Sequence, residues 1–115
     1  DVSDEAFKNC INLKTVSLAA VNNVGKQAFY GCTKLEEVNF KSTVNTIGDY
    51  AFTNCKKLKK LIVPDSVVYI GRNLIDNCQA IEEIKVPYFG AVETKNETLG
   101  YLFGQSKYQN QENQN

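Results

Sequence analysis

The four cysteines are the residues in this chain best suited to chemistry, because a thiolate is both a nucleophile and a metal ligand. They stand at Cys10, Cys32, Cys55 and Cys78, at intervals of 22, 23 and 23 residues. No two form a C-x-x-C pair, and the sequence contains no histidine. That removes Ser-His-Asp triads, Cys-His dyads and the usual zinc sites. A single cysteine per repeat reads as a small buried apolar plug, inert as a thiol. A disulfide between neighbouring units and a thiolate metal site are the alternatives, and the geometry of a bridge is demanding. The adjacent carboxylates Glu36-Glu37 and Glu82-Glu83 could do acid/base work, but both pairs recur at equivalent positions near lysines, as a solvated charge ladder would. The glycines recur at repeat turns and form no phosphate loop. Asn96-Glu97-Thr98 is a formal glycosylation sequon, meaningful only in a eukaryotic protein. The expectation is no catalytic residue, no metal and no cofactor.

The even cysteine spacing leads back to the elements that carry it. Ala51–Gly71, AFTNCKKLKKLIVPDSVVYIG, aligns with Ala28–Gly48 and with Ala6–Gly25, and degrades into Leu74–Pro87. Self-similarity at such a period means stacked supersecondary units. Each unit opens with a short segment expected to be a helical turn: Asp4–Asn9, Lys26–Gly31, Asp49–Asn54 and Arg72–Asn77. Its inward Phe7, Phe29 and Phe52 should stack as a spine, with Ile75 in the fourth unit. The residue before each cysteine is Asn9, Gly31, Asn54 or Asn77, the types that best tolerate left-handed backbone. Next comes a strand with one buried face: Leu13, Val16, Leu18; Leu35, Val38, Phe40; Leu58, Leu61, Val63; Ile81, Ile84, Val86. The return path carries Val21 and Val24, Val44 and Ile47, Val67 and Ile70. Gly25, Gly48 and Gly71 follow, where a sharp turn is expected. Tyr30, Tyr50 and Tyr69 break the pattern and are expected to be exposed.

The offset places successive strands parallel and in register. One outward column then reads Lys14, Glu36, Lys59, Glu82 and the next Thr15, Glu37, Lys60, Glu83. Equivalent side chains would lie about 4.8 Å apart. Alternating signs remove repulsion there and offer cross-strand pairs worth roughly 0.2–1 kcal/mol each.

The repeat C-x-x-L-x-x-I-x-[LV]-P-x-x-V-x-x-I-G-x-x-A-F resembles the BspA-like class of leucine-rich repeat. The third unit matches best, through Cys55, Leu58, Leu61, Val63, Pro64, Val67, Ile70 and Gly71. The first two units have Ala19 and Lys41 in place of the proline, and the fourth has Leu74-Ile75 in place of Ala-Phe. The resemblance covers residues 2–87, and Leu99–Gly104 is similar to an irregular element seen beside such repeats. It implies an α/β leucine-rich-repeat solenoid of about four coils, with a parallel in-register sheet on one face and short helical turns on the other. It also implies secretion or surface display, binding roles such as adhesion, and no catalysis. Free thiols fit an extracellular home only if they are buried or the habitat is anaerobic.

At 115 residues, 43% hydrophobic and 23% charged, the chain is one modest domain of ordinary globular composition. A formal net charge of zero removes the electrostatic argument for nucleic acid or anionic membranes. No apolar run approaches the roughly 18 residues of a spanning helix, so membrane insertion is not expected. The chain has no methionine and begins partway through a repeat, with Val2 where Val24, Ile47 and Ile70 sit, so a fragment of a longer protein is expected. The expected divisions are repeats over 1–87, an irregular cap or insertion over 88–104, and a flexible polar tail over 105–115.

These readings lead to a module that binds a protein or glycan through its sheet face. The contacts would be Thr15, Ser17, Glu37, Asn39, Lys60, Ile62, Glu83 and Lys85. The other reading is a structural spacer that displays another domain. Because no cap precedes Phe7, Leu13 and Val16, self-association through the first coil is also expected.

Overall fold

The computed structural model of the protein describes residues 1–87. The expected cap over 88–104 and tail over 105–115 lie outside the described residues. Seven short strands run in order: β1 (Thr15–Ser17), β2 (Asn23–Val24), β3 (Glu37–Asn39), β4 (Thr46–Ile47), β5 (Lys60–Ile62), β6 (Tyr69–Ile70) and β7 (Glu83–Lys85). All pairings are parallel and in the expected register: Thr15 opposite Glu37, Asn23 opposite Thr46, Thr46 opposite Tyr69 and Lys60 opposite Glu83. Val2 bridges Val24, which places it in the column the repeat assigned to it. Odd-numbered strands line one side of each coil and even-numbered strands the other. Between them lies a core of Leu35, Val38, Leu58, Leu61, Val44, Ile47 and Val67, closed at the turn by Ala28, Phe29, Ala51 and Phe52.

The single sheet expected on one face is instead divided. β1 pairs with β3 and β5 with β7, while β2, β4 and β6 form a continuous three-stranded sheet opposite. The expected helical turns are likewise absent: the described residues contain no helix. The reason lies in where the amides point. In the first coil the N–H groups of Glu5, Phe7 and Asn9 donate to the carbonyls of Lys26, Ala28 and Tyr30 in the next coil, at 2.9, 2.8 and 2.7 Å. The intervening amides of Ala6, Lys8 and Cys10 close local turns on Ser3, Glu5 and Phe7. A helix needs every amide to bond within the segment, and six residues are too few to nucleate one. Ladder bonding to the neighbouring coil wins.

Two of these turns need a left-handed residue at their third position. Asn9, Gly31, Asn54 and Asn77 occupy the second such place with φ between 59° and 73°, as their types predicted. Glu5, Gln27, Tyr50 and Asn73 occupy the first with φ between 53° and 60°, and only Asn73 among them is a type suited to it. The phenylalanine spine forms: Phe7 to Phe29 and Phe29 to Phe52 stack at centroid distances of 5.4 and 5.3 Å, with their rings nearly parallel. Ile75 continues it, fully buried.

Gly25, Gly48 and Gly71 are needed for a reason other than a sharp turn. None has a left-handed φ. A Cβ at Gly48 would instead lie 2.6 Å from the backbone nitrogen of Lys26, and one at Gly25 would lie 2.5 Å from that of Asp4. The preceding coil fills the space a side chain would need. The 22-residue first interval has its own local effect. There the turn closes from Leu18 to Val21, whereas the longer coils close it one position later, from Lys41 to Val44 and from Pro64 to Val67. The shorter connection holds Ala20 at φ 61°. Gly48→Ala is expected to lower stability by about 2–3 kcal/mol through overpacking against backbone. Ala20→Gly should raise it by roughly 0.5–1 kcal/mol by relieving left-handed strain. Urea midpoints of the two variants check both signs.

Candidate functional site

The cysteines form a column at the end of each turn. Each thiol beyond the first donates to the carbonyl of the preceding coil's spine residue: Cys32 Sγ to Phe7 at 3.2 Å, Cys55 Sγ to Phe29 at 3.3 Å and Cys78 Sγ to Phe52 at 3.0 Å. The column is therefore a set of coil-to-coil donors, a role that the sequence reading of an apolar plug missed. All four cysteines are free thiols. Burial pushes the Cys32 thiol up from its ordinary value of 9.0. Side-chain hydrogen bonding with Cys78, and then burial, push Cys55 far above it. Both thiols stay protonated at neutral pH, so neither supplies the thiolate that nucleophilic or metal chemistry requires. Among the described residues no cluster of His, Cys, Asp or Glu is arranged to hold a metal ion.

The sheet-face residues Thr15, Ser17, Glu37, Asn39, Lys60, Ile62, Glu83 and Lys85 all lie exposed on β1, β3, β5 and β7. Strand alternation puts them outward while Val38 and Leu61, between them, are buried. The structure brings four of them together: Glu37, Asn39, Lys60 and Ile62 line a cleft of about 210 Å³ with Val38 and Phe40. Beside it a shallow groove of about 390 Å³ is lined by Glu36, Glu37, Lys59, Lys60, Glu82 and Glu83. Thr15, Ser17 and Lys85 line neither. A basic row on coil three thus lies between acidic rows on coils two and four.

The expected cross-strand ion pairs between those rows do not close. Among the described residues the one salt bridge joins Lys8 to Glu5 at 3.3 Å, on the turn side of the molecule. Register alone sets the alternation, and long exposed side chains gain little by holding one geometry. Of the tyrosines, Tyr69 is exposed and Tyr30 and Tyr50 are half-buried.

Phe40 is the lining residue that the sequence reading assigned wholly to the core. Its equivalents are Leu18, Val63 and Val86, and its larger ring is half-buried, meeting Phe52 edge-on at 6.1 Å. The signal was available in the column as its only aromatic, but hydrophobicity alone does not separate a core residue from one at a cleft.

Parallel strands stacked once per coil, with leucine-type residues inward and polar residues outward, define a leucine-rich-repeat fold. The BspA type leucine rich repeat region matches residues 1–108 in six copies, and the chain belongs to that family. In solved structures it is similar to a leucine rich cell surface protein from Faecalibacterium prausnitzii. The identity is 32% with a TM-score of 0.68, over 71% of this chain and 22% of the other. It is also similar to a leucine-rich repeat protein from Bacteroides ovatus, at 28% identity and TM-score 0.71, over 86% of this chain and 30% of the other. The pneumococcal vaccine antigen PcpA matches at 30% identity and TM-score 0.59, over 71% of this chain and 20% of the other. The chain therefore spans less than a third of the length of each of these relatives. No curated protein matches it in sequence.

In the folded protein a thiol reagent at neutral pH should modify Cys10, which is half-buried, well before Cys32, Cys55 and Cys78. Mass spectrometry with and without denaturant reads the order. A thiol whose folded pKa is raised adds stability that is complete below its unfolded value and is lost as pH rises past it. The urea midpoint should therefore fall above about pH 9. Cys55→Ala should flatten that fall and cost about 1–2 kcal/mol at neutral pH.

Proposed function

We propose that the chain is a non-catalytic binding module of a secreted or cell-surface protein, and that it engages a protein or glycan through its sheet face. The observation that carries this reading is the separation of duties along each strand. The inward residues Val38 and Leu61 are buried, while Glu37, Asn39, Lys60 and Ile62 beside them are exposed and free to vary without touching the core. Ile62, 37% exposed, is an apolar residue at an outward strand position, among charged groups that make no ion pair with one another. Such a mixture of apolar centre and polar rim suits recognition. The surface location rests on the relatives, which are described as a leucine rich cell surface protein and a vaccine antigen.

Self-association through the first coil is part of the same reading. Phe7 and Ile11 are 43% and 55% exposed there. Light scattering of residues 1–115 at rising concentration should show association, reduced by Phe7→Ser together with Ile11→Ser. A monomer throughout removes this part of the proposal.

The main test is a binding screen of residues 1–115 against extracellular-matrix proteins, mucins and glycans. The control is Lys60→Glu with Ile62→Asp, both at exposed positions. Binding that this variant weakens about tenfold or more supports the sheet face as the site. Binding that survives it moves the site elsewhere. No binding by a fragment that circular dichroism shows to be folded favours a spacer.

A further inference from the structure

Between coils one and two the odd-numbered strands are closed at both ends. Glu36 N–H donates to Lys14 C=O at 2.8 Å, and Leu18 N–H to Asn39 C=O at 2.9 Å. Between coils three and four the same places are bonded again, Glu82 N–H to Lys59 C=O at 2.7 Å and Val63 N–H to Lys85 C=O at 2.8 Å. Between coils two and three neither equivalent is made. Lys59 N–H does not reach Glu36 C=O, Phe40 N–H does not reach Ile62 C=O, and no ladder joins β3 to β5.

The two coils have not separated elsewhere. On the opposite face β4 pairs with β6, and at the turn Phe29 N–H still reaches Ala51 C=O at 2.8 Å. Coils two and three are thus bonded on two sides, while on the third β3 and β5 stay neighbours without a hydrogen-bonded ladder. The cleft of about 210 Å³ lies along that interruption of the sheet, as a slit lined by both strands. Phe40, larger than its equivalents, lines the slit and meets Phe52 edge-on.

We propose that this slit binds one neutral saccharide unit. The inference rests on the reading of the sheet face as a binding surface and fixes both its location and its ligand class. The cleft offers the backbone N–H of Phe40 and the backbone carbonyl of Ile62, with the Glu37 carboxylate, the Asn39 amide and the Lys60 ammonium around them, and the backbone N–H of Lys59 and carbonyl of Glu36 belong to residues of the adjoining groove. A hydroxyl donates one hydrogen bond and accepts two, so a ring carrying several hydroxyls can satisfy donors and acceptors together. Ile62 and Phe40 supply an apolar wall for the C–H face of the ring. Glu37 and Lys60 carry opposite charges, which favours a neutral ligand over an acidic one. A peptide strand is the poorer fit. It would need a free sheet edge several residues long, whereas both walls of this slit belong to coils still bonded to each other on two sides.

The test is nuclear magnetic resonance of residues 1–115. Amide exchange in the free protein should be fast at Lys59 and Phe40 and slow at Glu36, Glu82 and Leu18. Methyl glycosides of glucose, galactose and N-acetylglucosamine are then titrated in turn. At least one should shift the amides of Lys59, Lys60 and Phe40 saturably, with a Kd on the order of 1 mM for a single unit. Phe40→Leu, which installs the residue type found at Leu18, should slow exchange at Lys59 and weaken that binding about tenfold or more. Glu37→Gln, at an exposed position that leaves the core intact, should also weaken it. Slow exchange at Lys59 in the unmodified protein overturns the slit itself. Fast exchange with no glycoside shifting these amides overturns the saccharide assignment. Neither result touches a partner captured by the outer sheet side chains, so the broader reading stands or falls on its own screen.

Discussion

Backbone contact between successive coils is the constraint from which the rest of the structure follows. Each of the first three turns sends three amides to the next coil, and the even-numbered strands repeat the contact on the other side. Coils held at ladder spacing, about 4.8 Å, make the nearest neighbour of every side chain its own equivalent one repeat away. A column must therefore tolerate itself. Phenylalanine does so by parallel stacking, asparagine by a side-chain bond such as Asn77 to Asn54 at 2.7 Å, and cysteine by donating to the carbonyl behind it. Glycine does so by having no side chain where the neighbouring backbone passes. The sequence repeats because the backbone permits few solutions per column.

The same contact is uneven around the coil. On the turn side it runs through all four coils, and on the even-numbered strands it runs through β2, β4 and β6. On the odd-numbered strands it is interrupted between β3 and β5. Two uninterrupted sides are enough to keep the stack aligned, since both clamp the same pair of coils. The third side can then lose its ladder without loss of register, and Glu37 still shares a cleft with Lys60.

Period, register, the phenylalanine spine and the left-handed positions before each cysteine were all legible in the sequence, because each is a property of one column. What the sequence hid depends on relations between neighbouring coils. Asp4–Asn9 looks helical because a short segment with inward Ala and Phe fits either a helix or a chain of turns, and only the destination of its amides decides. Gly48 looks like a turn glycine until the backbone of Lys26 is seen above it. Lys59 and Glu36 look like an ion pair because the repeat puts them in one column, yet solvated side chains need not meet. Of the candidate contacts, strand alternation correctly placed all eight outward, but it could not show that Glu37, Asn39, Lys60 and Ile62 share one cleft while Thr15 and Ser17 do not.

A repeat protein faces a difficulty in recognition that this uneven contact resolves. If every interface between coils were alike, any ligand of one would fit the next, shifted by one coil, and binding would have no defined place. Alternating charge does not remove the ambiguity, because acidic rows recur at Glu36-Glu37 and Glu82-Glu83, equally spaced about Lys59-Lys60. A unique place requires a column that breaks its own rule. Among the strand-end residues Leu18, Phe40, Val63 and Val86, only Phe40 departs in size, and the interruption of the sheet falls beside it. The bond lost there costs little, since an exposed amide at a strand end can return to water. In the proposed reading, specificity in such an array is carried by the departure from the repeat, and the regular coils supply the rigidity that keeps the departure local.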